Sequence, residues 1–261
     1  MSFKVDFGKT AGDYARHRAG FPPALLERLK AHGLDPVNRD VLDLGTGTGT
    51  LARQAALAGG RVTGVDPSES MMTQAAEMDS AVGAAVDYRV GRAEAIPVQD
   101  ESQDIVLAGQ CWHWFRGAEA AREVARVLRS GGHVAICHFD WLPLPGNVVE
   151  ATEKLIEAFN PSWRMGGGTG IHPKYLADLS GAGFRSLETF SFDIDAAYTH
   201  EAWRGRIRAS AGVAASLAEE TVAAFDDELR RLLAASYLQD PLAIPHRVWA
   251  VVGRKASVAG L

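Results

Sequence analysis

Apolar and polar positions along this chain fall in blocks rather than in one continuous pattern. Short runs built on Val, Leu, Ile and Ala lie near 40–44, 103–109 and 133–139, and shorter segments each carrying two Val lie near 61–66 and 86–90. Between them, near 50–58, 69–77 and 117–128, apolar residues recur every three or four positions. The short runs predict strands and the longer ones predict helices, and their alternation implies a parallel sheet with helical crossovers. Val134-Ala135-Ile136-Cys137 is apolar throughout, as in a strand covered on both faces. In such sheets ligands lie at the carboxyl ends of the strands, where Gly45, Asp66, Glu94, Gln110 and His138 all fall.

Past Asp140 the pattern changes. A helix is predicted near 148–159, followed by Trp163-Arg164-Met165-Gly166-Gly167-Gly168-Thr169-Gly170, which reads either as a flexible connection or as a flap carrying Trp163. Phe184 to Ile194 and Leu242 to Val252 predict two last strands, an antiparallel pair at one edge, where Pro245 is tolerated. Helices near 200–209 and 217–236 between them have the size of a cap. The expected fold is α/β: a seven-stranded, mostly parallel sheet with helices on both faces, an antiparallel C-terminal edge strand and a small helical cap. One domain is expected over 1–261. It comprises an N-terminal helical segment or lid (1–34), a ligand-binding core (35–140), and cap insertions with the last two strands (141–261).

The densest chemical signal is Asp43-Leu44-Gly45-Thr46-Gly47-Thr48-Gly49, between the first strand and its helix. Three glycines without Cβ atoms allow positive φ and let a ligand lie against bare backbone at a helix N-terminus. Asp66 ends the second strand, where a carboxylate can accept both hydroxyls of a ribose. A dinucleotide fingerprint would place its third glycine at Thr50. Asp43 would also repel a pyrophosphate, whereas it suits an ammonium group. A ligand-free turn with Asp43 capping the helix would use the same residues.

These motifs resemble those of the class I S-adenosylmethionine-dependent methyltransferases. Asp43 to Gly49 is similar to the family's first motif and Gly64-Val65-Asp66-Pro67-Ser68-Glu69-Ser70-Met71 to its second. Gly91-Arg92-Ala93-Glu94-Ala95-Ile96-Pro97 is similar to the third, and Leu128-Arg129-Ser130-Gly131-Gly132-His133 to the turn before the fifth strand. Tyr14-Ala15-Arg16-His17-Arg18 and Gln110-Cys111-Trp112-His113-Trp114-Phe115 narrow the likeness to the methyltransferase type 11 branch, with its trans-aconitate methyltransferase-like members. The resemblance implies a Rossmann-like fold and the cofactor S-adenosyl-L-methionine, with S-adenosyl-L-homocysteine as product. It places Asp43, Gly45, Thr46, Gly47 and Gly49 at the methionine part, with Tyr14 and Arg18 closing over it. Asp66 would take the ribose; Pro67, Met71, Arg92, Ala93, Glu94 and Gln110 would complete the cofactor site. Many members carry Asp where this chain has Arg92.

Composition fits a globular enzyme: 47% hydrophobic and 23% charged residues over 261 positions. A net charge of -5 argues against a nucleic-acid substrate, and no stretch is long and apolar enough to span a bilayer. A cytoplasmic location is expected. Cys111 and Cys137 lack metal-type spacing and read as reduced core thiols.

The acceptor side carries weaker signals. Trp112, Trp114 and Trp141 lie near strand ends and Trp163 in the presumed cap, where they suit either an aromatic substrate or ordinary core packing. His113, just after the fourth strand, is the candidate general base, or else a histidine that pins its loop. His138 and Asp140 share a strand face, giving either a His–Asp pair or, with His113, a metal site, but three scattered ligands make a weak metal signal, and no metal is expected. Arg204 and Arg208 share a helix face, giving either a fork for a substrate carboxylate or a solvated basic patch. A small-molecule acceptor is expected.

Overall fold

The computed structural model describes residues 20–256 of the chain. Tyr14 and Arg18 therefore lie outside the described residues. Seven strands form one sheet: β1 (Asp40–Leu44), β2 (Arg61–Asp66), β3 (Val86–Val90), β4 (Gln103–Gly109), β5 (Leu128–Trp141), β6 (Phe184–Tyr198) and β7 (Leu242–Lys255), in spatial order β3-β2-β1-β4-β5-β7-β6. β1 lies parallel between β2 and β4, with Val41 opposite Val62 on one side and Ile105 on the other. Val41, Leu42 and Leu44 are all buried, as in a central strand covered on both faces.

Helical connections follow the expected order: α1 (Pro23–Ala31), α2 (Thr50–Leu57), α3 (Glu69–Val82), α4 (Gly117–Val127), α5 (Val148–Phe159), α6 (Lys174–Gly181), α7 (His200–Arg208) and α8 (Glu219–Ser236). α1 falls within the helical segment expected over 1–34, whereas α6 is a short helix absent from the sequence-based assignment. Each opens beside a proline and buries two side chains four residues apart, Leu25 and Leu29 in α1, Tyr175 and Leu179 in α6.

β5 starts earlier than its apolar run suggests. Leu128 already pairs with Gln103, and the register shifts between Gln103 and Ile105, so the glycine pair before His133 forms an irregularity inside a strand rather than a turn before it. β7 runs antiparallel to β5: Leu142 N–H donates to Pro245 O near the start of β7, and Lys255 at its end bonds Leu128 O. It lies between β5 and β6, which leaves β6 outermost. A strand residue points its nitrogen and carbonyl to the same side, so the missing N–H of Pro245 faces Leu142, just beyond the end of β5. The proline sits at a local edge inside an interior strand.

The chain divides into two compact units. The sheet unit comprises Gly20–Phe139, His172–Phe192 and the chain from Val248. Its core joins Leu42, Leu44, Val106, Ala108, Val134 and Ile136 to Ala120, Val124 and Val127 of α4 and to Trp249. Each fully buried aliphatic side chain contributes about 1.5–3 kcal/mol. The helical unit comprises Asp140–Ile171 and Asp193–Arg247. There Trp203 is fully buried and donates its indole N–H to Thr152 Oγ1 at 3.1 Å, while Phe159 meets Phe225 edge-on. Among the described residues no helix is long and apolar enough to cross a membrane.

Candidate functional site

At the carboxyl end of β1 the chain makes the glycine turn. Gly45, Gly47 and Gly49 all have left-handed backbone, with φ of +67°, +54° and +75°. Their surroundings differ. A Cβ at Gly45 would lie 2.8 Å from Cys111 Cβ, and one at Gly49 would overlap the Tyr88 hydroxyl, so close packing excludes side chains at both. At Gly47 the nearest atom would be Met71 Cε at 3.5 Å, an ordinary contact. Among the described residues, packing leaves the Gly47 face open apart from that contact.

Two carboxylates hold this turn. The N–H groups of Gly45 and Thr46 both donate to Val65 O, and Gly47 N–H donates to Asp66 Oδ2 at 2.9 Å. The other oxygen of Asp66 accepts from Ser68 N–H at 2.9 Å, next to the Ser68 cap of α3. Burial raises the pKa of Asp66 against those two bonds. Asp43 is 2% exposed; its Oδ2 accepts from Thr46 Oγ1 at 2.7 Å and from Ala52 N–H in the first turn of α2 at 3.0 Å. Burial pushes its carboxyl up to about 7, partly offset by those bonds and reinforced by the nearby charge of Asp66. Asp43 thus supports the turn from beneath, in the helix-capping role that its position also allowed.

Around the next strand tips the expected cofactor residues separate. Arg92 and Pro67 are exposed, whereas Ala93 and Met71 are buried. Glu94 turns to Arg116 N–H at 2.8 Å, at the start of α4. Gln110 has a left-handed backbone, with φ of +57°, and its side-chain amide pairs with both backbone groups of Phe139, at 2.9 and 3.1 Å. It lengthens the β4–β5 ladder by a side chain, a role that no local sequence signal announces.

A 3₁₀ turn, Trp112–Trp114, follows β4 and sorts its aromatics. Trp112 is 1% exposed and donates its indole N–H to Asp178 at 2.9 Å, which makes it part of the core rather than a substrate wall. Trp114 is exposed and its ring lies 4.7 Å from that of His113. His113 also lies 5.6 Å, centroid to centroid, from the buried His138, which packs against His172 at 3.8 Å and against Tyr175. The half-buried His113 and the exposed Trp114 are the candidate acceptor-side residues that this segment offers to solvent.

Candidates in the helical unit are largely engaged with one another. Trp141 donates to Glu153 Oε1 at 2.7 Å, and the Arg206 guanidinium stands 4.8 Å over its ring. Trp163 is 6% exposed and lies against Gly166 and Gly212, in the packing role rather than on a flap surface. Arg204 and Arg208 do form a fork, but Asp226 of α8 fills it, with Glu201 bonded to both. A substrate carboxylate would have to displace that internal partner. Sequence reasoning missed Glu153, whose second oxygen accepts from Gly167 N–H at 2.8 Å and whose pKa burial raises. With Glu150 and Glu157, spaced three and four residues away on α5, it lines a cavity of about 420 Å³. That spacing on a helix was the available signal.

Comparison with known proteins matches a methyltransferase domain family over residues 42–136. An uncharacterised methyltransferase of Mycobacterium tuberculosis is 40% identical over 135 residues, and the matched stretch spans about half of each chain, 51%. Another, from Schizosaccharomyces pombe, is 32% identical over 77% of this chain and 74% of its own length. Among solved structures, Haemonchus contortus phosphoethanolamine N-methyltransferase 2 in complex with S-adenosyl-L-methionine shares the fold, with a TM-score of 0.57 at 21% identity, over 97% of this chain and 60% of that one.

Proposed function

Because the chain belongs to the class I S-adenosylmethionine-dependent methyltransferases, we propose that it methylates an oxygen, nitrogen or carbon atom of a small molecule, a carboxylic acid or an aromatic metabolite, and releases S-adenosylhomocysteine. The observation that carries this reading is the open backbone of Gly47 between two carboxylates. Asp66 bonds its N–H and Asp43 lies beneath, while the run from Asp43 to Thr50 contains no Lys or Arg. These two acids, with the Arg53 guanidinium at the far end of the turn committed to Asp79 and the Thr48 carbonyl, make a poor seat for a pyrophosphate and a good one for a cationic ligand. Thr50 begins α2 where a dinucleotide motif would need its third glycine.

When bound, S-adenosylmethionine supplies an activated methyl group on a positively charged sulfur. Gly45, Thr46, Gly47 and Gly49 would lie along its methionine part, above Asp43. Asp66 would accept the ribose hydroxyls in exchange for its backbone bonds. Ala93, Met71 and Pro67, with the nearby Arg92 and Glu94, would border the adenine. The remaining task is to hold the acceptor in line and to take its proton. His113 does the second: it is half-buried at the end of β4, and a ring nitrogen accepts the proton of the acceptor as its nucleophile is methylated. Trp114 beside it offers an exposed ring face to an apolar or aromatic acceptor.

Calorimetric titration with S-adenosylmethionine, S-adenosylhomocysteine and NAD in parallel tests the cofactor. Binding of the first two and not of NAD is expected; binding of NAD alone overturns the reading. A screen of small acids and aromatic metabolites then identifies the acceptor. With that acceptor, His113→Ala should lower kcat at least a hundredfold while S-adenosylhomocysteine affinity stays within twofold. Equal loss of both would make His113 a structural residue.

A further inference from the structure

Beside Gly49 lies a buried charged network that the glycine motif itself does not include. Arg53, in the second turn of α2, sends Nη2 back to the carbonyl of Thr48 at 2.9 Å and also to Ala75 O at 3.2 Å. Its Nε stands 2.6 Å from Asp79 Oδ1 of α3, and the two side chains are only 13% and 5% exposed. The other oxygen of Asp79 accepts the Tyr88 hydroxyl of β3 at 2.8 Å. That hydroxyl occupies the place where a side chain at Gly49 would begin, and Arg53 Nη2 passes 3.3 Å from the same point.

Arg53 and the Tyr88 hydroxyl thus meet one peptide of the turn, and Asp79 joins the two. A buried ion pair is costly unless its remaining hydrogen-bonding groups are satisfied, and replacing it by apolar residues is often neutral or favourable for stability. General packing therefore does not account for it. What it adds is a bond to the Thr48 carbonyl, at the end of the turn beyond the groups that Val65, Asp66 and Thr46 O already hold.

We propose that Arg53, itself held by Asp79 and Tyr88, is the positioning residue of the cofactor turn: it fixes the Thr48–Gly49 peptide and thereby the open face of Gly47. The inference rests on the reading of that turn as the S-adenosylmethionine site. Arg53 touches no ligand. It shapes the site from the far end of the turn, and the rigidity it provides spares binding the entropy cost of ordering that backbone.

The test uses the full chain and two readouts. In Arg53→Met, S-adenosylhomocysteine affinity measured by calorimetry should fall at least tenfold. The KM for S-adenosylmethionine should rise to match, with kcat at saturation within twofold. Arg53→Lys, which keeps the charge but loses the second donor, should recover part of the affinity, and Tyr88→Phe should lose about threefold. In the ligand-free protein, amide exchange at Gly47 and Gly49 should accelerate in Arg53→Met while the amides of β1 keep their protection. A folded Arg53→Met that binds within twofold of wild type, or that shows unchanged exchange at the turn, overturns the proposal. If Arg53→Met does not fold, Arg53→Lys decides by the same criteria. Wild-type protein that fails to bind S-adenosylhomocysteine overturns the cofactor reading instead, and the exchange measurement still judges the clamp.

Discussion

Two glycine-rich stretches of this chain, 45–49 in the sheet unit and 166–170 in the helical unit, differ in how each glycine is used. In the first, every glycine has positive φ, and packing excludes a side chain at two of the three. In the second, a Cβ on Gly167 or Gly168 would meet nothing within 4 Å, whereas Gly166 lies against Trp163 and Gly170 against Arg247. The second stretch is nonetheless held: Gly167 N–H bonds Glu153, and Thr169 O accepts from Arg247, which pairs with Asp193. Each stretch leans on a buried carboxylate, and left-handed backbone occurs in both, at all three glycines of the first and at Gly167 and Gly170 of the second. Glycine content alone does not distinguish a ligand cradle from a pinned loop; the neighbours of each missing Cβ do.

The sharpest way to break the comparison is Gly49→Ala. The new methyl group would collide with the Tyr88 hydroxyl in a left-handed backbone, at a cost of about 4–5 kcal/mol, read by urea unfolding. A loss below about 1 kcal/mol would show that the turn is looser than its packing implies.

Asp43→Asn tests the carboxylate beneath. A side chain whose pKa is about 7 when folded and 3.8 as a free group holds its proton better in the folded state. Its contribution to stability is full below about pH 4 and lost as pH rises through 7, by up to ~4 kcal/mol. Wild-type stability should therefore decline relative to the Asn variant between pH 4 and pH 7 in chemical unfolding, and parallel curves would refute the buried acid.

Gly47→Ala separates folding from binding within the turn. Contact with Met71 is tolerable, so stability should fall by only about 1–2 kcal/mol, while S-adenosylhomocysteine affinity drops more than tenfold. In the other stretch, Glu153→Gln should cost about 1–2 kcal/mol through its bonds to Gly167 and Trp141, with cofactor affinity within twofold. Smallest of all, Gly168→Ala should move stability by less than about 0.5 kcal/mol.

Much of the sheet was legible: 40–44, 61–66, 86–90 and 103–109 coincide with the strands observed, although β3 alternates Val86, Asp87, Tyr88, Arg89 and Val90 rather than forming an apolar run. α6 was not legible, since eight residues with only two buried positions hardly rise above a loop pattern, and α1 was covered only by the broad helical segment expected over 1–34. The identity of the site residues was easier to read than the direction of their side chains. Asp43 and Glu94 sit at the expected strand tips, yet both oxygens that could face a ligand belong to groups already bonded to the first turn or the cap of a helix. Gln110 joins two strand ends through an amide whose partner, Phe139, is 29 residues away in sequence, a distance over which no local pattern operates. The arginine fork was foreseen as a pair, but its acid lies on another helix, and only tertiary structure brings Asp226 to it.

The placement of β7 between β5 and β6 bears on how the protein is made. During synthesis β5 and β6 leave the ribosome well before the strand that separates them, so neither can complete its pairing until residues 242–255 have emerged. For that interval the growing chain carries an open strand edge that chaperones, or a neighbouring nascent chain, can engage. The slowest stage of assembly should be this last insertion, and a ribosome stalled before residue 242 should display a protease-sensitive β6 beside an already protected first half of the sheet.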